Sequence, residues 1–182
     1  MPNMSDARIL MIATDGYEDS ELLETRRLLE ERGADVTLAS LEKGEIKGDK
    51  GATAEVDATI DEVDAGDFDA LVLPGGVANP DKLRMNDEVV EMVRSFARSG
   101  RPVGAICHGP WLLVEADVVK GRKVTSWPSI RTDLRNAGAE VVDQEAVTDG
   151  NIVTSRKPED IPAFAEAVAR LVEKADASLE TA

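Results

Sequence analysis

The alternation of apolar and polar stretches divides the chain into short buried strands and amphipathic helices. Ala7 to Thr14 is nearly all apolar, as expected of a central strand covered on both faces. Asp15 to Glu18 is then a loop. Asp19 or Ser20 caps a helix running to about Arg32, with Leu22, Leu23 and Leu29 as its apolar stripe and Gly33 as its stop. Asp35 to Leu41 reads as the second strand. Glu42 to Glu62 is polar, with glycines at 44, 48 and 51, and predicts a small hairpin or excursion at the sheet's edge with nothing in it that suggests chemistry. Phe68 to Leu73 is a buried strand that ends at Pro74-Gly75-Gly76. Asn86 caps a helix through Ser99, in which Val89, Val93, Phe96 and Ala97 keep a helical spacing and Gly100 makes the stop.

Val103 to Ile106 is a further short strand, and Gly109-Pro110 opens a helix over Trp111 to Ala116. Lys123 to Trp127 reads as a strand, and Ile130 to Ala137 as a short helix closed by Gly138. Strands follow at Val141-Val142, Ala146 to Thr148 and Ile152 to Ser155, with Asp149-Gly150 as a hairpin turn. A last helix begins between Pro158 and Pro162. Its stripe of Ile161, Phe164, Ala165, Val168, Leu171 and Val172 is the clearest in the chain, and the tail after Ala175 is expected to fray.

Strands alternating with helices predict a mostly parallel sheet with helices on both faces. In such sheets ligands bind beyond the carboxyl ends of the strands, where the strand order reverses. Three loops lie at those ends: Asp15 to Glu18, Pro74 to Gly76, and Cys107 to Gly109. If their strands are neighbours, Glu18, the glycine amides and Cys107 converge on one pocket.

Composition narrows the function. The chain has 182 residues, enough for a full core in a single domain over 1–182, with the packed part at about 7–174. A net charge of −15 argues against nucleic-acid and anionic-membrane partners. The acid is spread along the chain, as on a solvated surface, and the excess of Arg over Lys and of carboxylates over both would suit a salt-rich cytoplasm. Met1 to Asp6 is too short and polar for a signal peptide, and no apolar run is long enough to span a membrane, so a cytoplasmic location is expected.

The single cysteine and single histidine are adjacent, at a strand-to-helix corner. A nucleophile is served by such a corner, because the side chain projects from the sheet's edge and the helix amides face it. Cysteines so placed have pKa values lowered from about 8.5 to roughly 3.5–7.5. The competing reading is a buried core thiol. Gly75 and Gly76 let the backbone approach a ligand and aim amides at an oxyanion, or form an ordinary tight turn. Glu18 can exchange a proton with a sulfur across the pocket, or only support its helix. Successive helical side chains do not face each other, so a direct Cys107–His108 pair is awkward and His108 needs an orienting carboxylate from elsewhere. One histidine leaves no zinc site and no triad with a histidine distant in sequence.

With these residues in view, the chain resembles the ThiJ/PfpI family of intracellular cysteine hydrolases, within the glutamine-amidotransferase-like superfamily. The carriers are Gly16-Tyr17-Glu18-Asp19, Leu73-Pro74-Gly75-Gly76, Ala105-Ile106-Cys107-His108-Gly109-Pro110, Thr125-Ser126-Trp127-Pro128 and Thr154-Ser155-Arg156, spread over Ile9 to Val172. The Cys-His-Gly-Pro elbow with the upstream Pro-Gly-Gly is the specific part. The resemblance implies a flavodoxin-like three-layer sandwich, Cys107 as nucleophile, Glu18 as the acid that hydrogen-bonds its sulfur, and Gly76 with the His108 amide as oxyanion hole. It also implies that His108 completes a triad with an acid from a neighbouring subunit, for which Asp81 is the matching position, in a dimer or a hexamer. Trp127 stands where an aromatic lines the pocket. No cofactor and no metal are implied. The resulting expectation is a cysteine-dependent glyoxalase or deglycase acting on methylglyoxal-like carbonyls, free or as an adduct on protein. An oligomeric cysteine peptidase is the second reading, and a stress chaperone that senses oxidation through Cys107 is the third.

Overall fold

The structure, a computed structural model, describes residues 4–181; the reading of Met1 to Asp6 therefore lies partly outside the described residues. β1 (Arg8–Ile12) is followed by α1 (Asp19–Glu31) and β2 (Asp35–Ser40). The chain then makes β3 (Glu45–Lys47), β4 (Thr53–Glu55) and the two-residue β5 (Ala58–Thr59). β6 (Ala70–Leu73), α2 (Ala78–Leu83), α3 (Asp87–Ser99), β7 (Val103–Ile106) and α4 (Trp111–Glu115) form the middle of the molecule. β8 (Lys123–Val124), α5 (Arg131–Asn136), β9 (Glu140–Val141), β10 (Val147–Asp149), β11 (Ile152–Ser155) and α6 (Ile161–Thr181) complete it.

Seven strands form one sheet in the order β10-β11-β7-β6-β1-β2-β5. All neighbours are parallel except β10 and β11, an antiparallel edge hairpin whose turn is Gly150-Asn151, one residue beyond the expected Asp149-Gly150. The inner strands are apolar because both of their faces are covered. On β1, Ile9 and Met11 pack towards α1 and α6, and Leu10 and Ile12 pack towards α3 and α4. The expected three-layer, flavodoxin-like α/β architecture is therefore the observed one.

Local chemistry sets several boundaries. The Asn86 side chain accepts a hydrogen bond from the Val89 amide at 3.0 Å and caps α3, while Gly100 ends it in the left-handed region. β3 and β4 form a hairpin, but as a separate two-stranded sheet and not at the edge of the main one; β5 takes that edge beside β2. Three expectations are corrected. Only Lys123–Val124 of the Lys123–Trp127 stretch is a strand, and it pairs with β9 in a separate two-stranded sheet. Beyond it the backbone turns inward, the Thr125 amide donating to Thr154 Oγ1 and the Trp127 amide to the Cys107 carbonyl. α2, with Pro80 inside it, is a helix that the pattern did not predict. α6 runs unbroken through Thr181 where fraying was expected after Ala175. No described helix is long and apolar enough to cross a membrane.

The chain leaves β1 towards β2 and β5 on one side, then crosses back to β6 on the other. This reversal puts the carboxyl ends of β1, β6 and β7 side by side, and the loops that follow them meet there.

Candidate active site

Cys107 ends β7 with φ of +65°, a left-handed conformation that non-glycine residues seldom adopt. Its amide donates to the Ser155 carbonyl at 3.0 Å and its carbonyl accepts from the Trp127 amide at 2.9 Å, which hold the corner in place. The residue is 5% exposed, at the bottom of a cavity of about 210 Å³. The backbone amides of Gly76 and His108 face its sulfur and favour the thiolate, pulling the thiol pKa down.

The left-handed corner changes the relation of Cys107 to His108. The two do not lie on a continuous helix, and His108 Nδ1 sits 3.2 Å from Cys107 Sγ. The expectation that a direct Cys107–His108 pair is awkward is thus corrected by the backbone geometry. On its far side, His108 Nε2 is 3.4 Å from Ser129 Oγ, and the ring lies between Trp111 and Trp127, stacked on the latter at 6.1 Å. Burial pushes the imidazole pKa down, so the ring is neutral near pH 7. Asp81, the expected partner of His108, is exposed on α2, and no hydrogen bond joins it to His108 within the described residues of one chain.

The carboxylate beside the sulfur is Glu21, not Glu18. Glu18 is the N-cap of α1: its Oε2 accepts from the Glu21 amide at 2.8 Å and from the Ser20 hydroxyl, and its Oε1 accepts from Lys50 Nζ at 3.0 Å. Although burial pushes the Glu18 pKa up, these hydrogen bonds outweigh it and hold the group below the usual carboxylate value. One turn further on, Glu21 points into the molecule. It is fully buried and faces the Cys107 thiol; its Oε1 accepts from the Gly75 amide at 2.9 Å, and its buried Oε2 has no hydrogen-bond partner among the described residues. Gly75 therefore has its amide engaged by Glu21, and the oxyanion donors that remain are Gly76 and His108.

Burial, then the nearby charge of Glu18, raise the Glu21 pKa to about 8. Burial and the Glu21 carboxylate likewise push the Cys107 thiol up, against the pull of the Gly76 and His108 amides. The two groups behave as a pair that holds its first proton to near neutrality. When Glu21 keeps the proton it carries no charge to oppose the thiolate, and it can donate to the sulfur.

Both glycines are required by close approach. A Cβ on Gly75 would lie 2.6 Å from Glu21 Oε1 and 2.7 Å from the Cys107 Cβ. Gly76 has φ of +82°, and its Cβ would meet the Gly16 carbonyl oxygen at 2.3 Å. Trp127 forms one wall of the cavity, and Asp49 and Lys50 of the β3–β4 hairpin form part of another. The sequence pattern shows no chemistry in the hairpin, and it does not point to Glu21, Ser129, Asp49 or Lys50, which the structure places at the sulfur, at His108 or in the cavity wall. One signal for Glu21 was available: Glu21, Thr25 and Leu29 fall at i, i+4 and i+8, so a carboxylate stood on the core-facing stripe of α1. Among the described residues, no cluster of three or more His, Cys, Asp or Glu side chains is placed to hold a metal ion.

An open α/β sheet that carries a left-handed cysteine elbow, with a buried acid and two amides aimed at the sulfur, defines a class of cysteine-centred α/β proteins. The comparisons agree. Residues 7–171 match the family model described as DJ-1/PfpI family, and the chain belongs to that family. The deglycase PfpI of Pyrococcus furiosus is 47% identical over 165 residues, covering 91% of this chain and 99% of that one. Protein/nucleic acid deglycase 2 of Escherichia coli is 46% identical over 168 residues, covering 91% and 97%. The crystal structure of Drosophila melanogaster DJ-1beta superposes with a TM-score of 0.86 at 32% identity, over 93% of this chain and 92% of that one.

Proposed function

We propose that this protein is a cysteine-dependent enzyme acting on small reactive carbonyls: α-oxoaldehydes of the methylglyoxal type and their early adducts on protein amines and thiols. The observation that carries the reading is the cavity of about 210 Å³ that brings Cys107, His108, Glu21 and Gly76 together, a size suited to a few-carbon carbonyl rather than a peptide. The deglycase names of the two relatives above point the same way.

In this reading the ionised form of Glu21, whose share grows as the pH approaches about 8, takes the thiol proton as Cys107 Sγ attacks the aldehyde carbon. The developing oxyanion accepts hydrogen bonds from the Gly76 and His108 amides. With an aminocarbinol adduct the same attack expels the amine, so the free aldehyde and the adduct give one hemithioacetal. His108, neutral and beside the sulfur, is the base within reach for moving the carbon-bound proton to the neighbouring carbon. Water then hydrolyses the resulting thioester and releases a 2-hydroxy acid. For methylglyoxal the balance is one aldehyde plus one water giving one lactate, with Cys107 returned as thiol.

The test is lactate formation from methylglyoxal, and release of free amine from its adducts, by the wild-type protein beside Cys107→Ser. Lactate no faster than in the Cys107→Ser control would sink the proposal. The 3.2 Å contact of His108 Nδ1 with Sγ favours a second reading, a peptidase whose His108 is oriented by Asp81 of a neighbouring copy in a homo-oligomer. Casein cleavage that depends on Asp81 and on assembly would select it.

A further inference from the structure

The β3–β4 hairpin is tied to the loop that leads into α1. Asp15 Oδ1 accepts from the Lys47 amide at 2.9 Å, and the Gly16 amide donates to the Lys47 carbonyl at 2.8 Å. The Asp49 amide donates to the Tyr17 carbonyl at 2.9 Å, and the Tyr17 hydroxyl donates to the Ala52 carbonyl at 3.0 Å. The Asp19 carboxylate accepts from the amides of Lys50 at 3.1 Å and Ala52 at 2.8 Å. The tip of the hairpin is thus held at the cavity's edge, with Lys50 Nζ at 3.0 Å from Glu18 Oε1.

Such a pair does little for stability, because the Lys50 side chain is 70% exposed. Its place is what matters. Among the described residues lining the cavity, Lys50 alone is a cation. The groups facing the Glu21–Cys107 pair are Glu18 from the start of α1, Asp49 and Lys50 from the hairpin, the Gly75 and Gly76 amides after β6, and the neutral His108 after β7. Two of these are anions that oppose loss of a proton from the pair, and an ammonium beside them favours it.

We propose that Lys50 is a positioning residue for the nucleophile: latched to Glu18 by the docked hairpin, its ammonium offsets that carboxylate beside the Glu21–Cys107 pair and sets the pH at which the sulfur becomes reactive. The inference rests on Cys107 being the reactive group but not on the identity of the substrate.

The experiment is the rate of alkylation of Cys107 by iodoacetamide as a function of pH, clean because the chain has one cysteine. Lys50→Met is expected to move the midpoint to higher pH by about 0.5–1 unit at low ionic strength, with unchanged thermal unfolding. Lys50→Arg keeps the charge and restores the wild-type midpoint. In a Glu18→Gln background, where the latch is gone, Lys50→Met has less than half of that effect. An unmoved midpoint in Lys50→Met overturns the proposal. So does a shift that Arg does not restore, or one of equal size without Glu18. Because the readout is alkylation, this inference can fail while lactate formation stands, and the reverse.

Discussion

Replacing Glu21 by Gln separates the role of this carboxylate from that of Glu18 by two independent readouts. Burial and the charge of Glu18 raise the Glu21 pKa from 4.5 to about 8 in the folded chain. The sign follows directly: a raised acid contributes stability that is fully present below its unfolded pKa and is lost as pH rises through its folded pKa. The window is therefore pH 4.5 to about 8. At about 1.4 kcal/mol per pH unit, the loss across it is roughly 5 kcal/mol for a fully buried carboxylate. Gln cannot ionise, so Glu21→Gln escapes that loss. In a Cys107→Ser background, where the thiol does not titrate, the stability of the Gln variant relative to Glu should climb by several kcal/mol between those limits. Urea unfolding at a series of pH values reads this directly.

On activity the effect is opposite. Gln still offers a hydrogen bond to the sulfur but cannot take its proton, so kcat/KM on an α-oxoaldehyde should fall at least about a hundredfold. Glu18→Gln behaves differently, because Glu18 caps α1: it should cost about 0.5–2 kcal/mol at neutral pH and keep most of the turnover. If Glu21→Gln keeps wild-type kcat/KM, or if its relative stability does not change with pH, the assignment of Glu21 as the buried proton carrier is wrong.

Gly76→Ala should lose more than about 2 kcal/mol in urea unfolding along with activity, since its Cβ would strike backbone atoms that cannot yield; a stable, active variant would refute the close approach. Asp81→Asn should leave lactate formation intact and abolish any casein cleavage, which separates the two enzymatic readings in one protein. Sedimentation should show a homo-oligomer at micromolar concentration, with assembly favoured by salt because a net charge of −15 is self-repelling until screened; a monomer in both low and high salt would count against a partner-supplied Asp81.

Much of this fold can be read from periodicity because its strands are buried on both faces and its helices carry one apolar stripe. Asn86 and Gly100 bound α3 as their chemistry demands, and the apolar run before Cys107 is β7. What resisted reading depends on tertiary geometry. Glu18 and Glu21 stand one turn apart at the head of the same helix, and dipole arguments treat them alike. The rotation of α1 against the sheet decides which of them meets the sulfur. The hairpin residues Asp49 and Lys50 sit in a polar, glycine-rich stretch with no periodic signal, and they reach the cavity only because residues 15–19 grip that stretch. Strand expectation at Lys123 to Trp127 failed for a related reason: past Val124 the amides bond to Thr154 Oγ1 and the Cys107 carbonyl instead of to a strand neighbour.

The backbone at Cys107 carries a consequence for how this protein can be engineered or can drift. A side chain held at φ of +65° costs about 1–3 kcal/mol that glycine would not. Selection for thermal robustness alone would therefore reward Cys107→Gly over Cys107→Ala, and would erase the thiol proposed as the reactive centre while raising the stability of the molecule. A library screened only for heat tolerance or expression would discard Cys107 early, and only a chemical selection would keep it. In this fold the position that matters most to reactivity is one where durability pulls the other way.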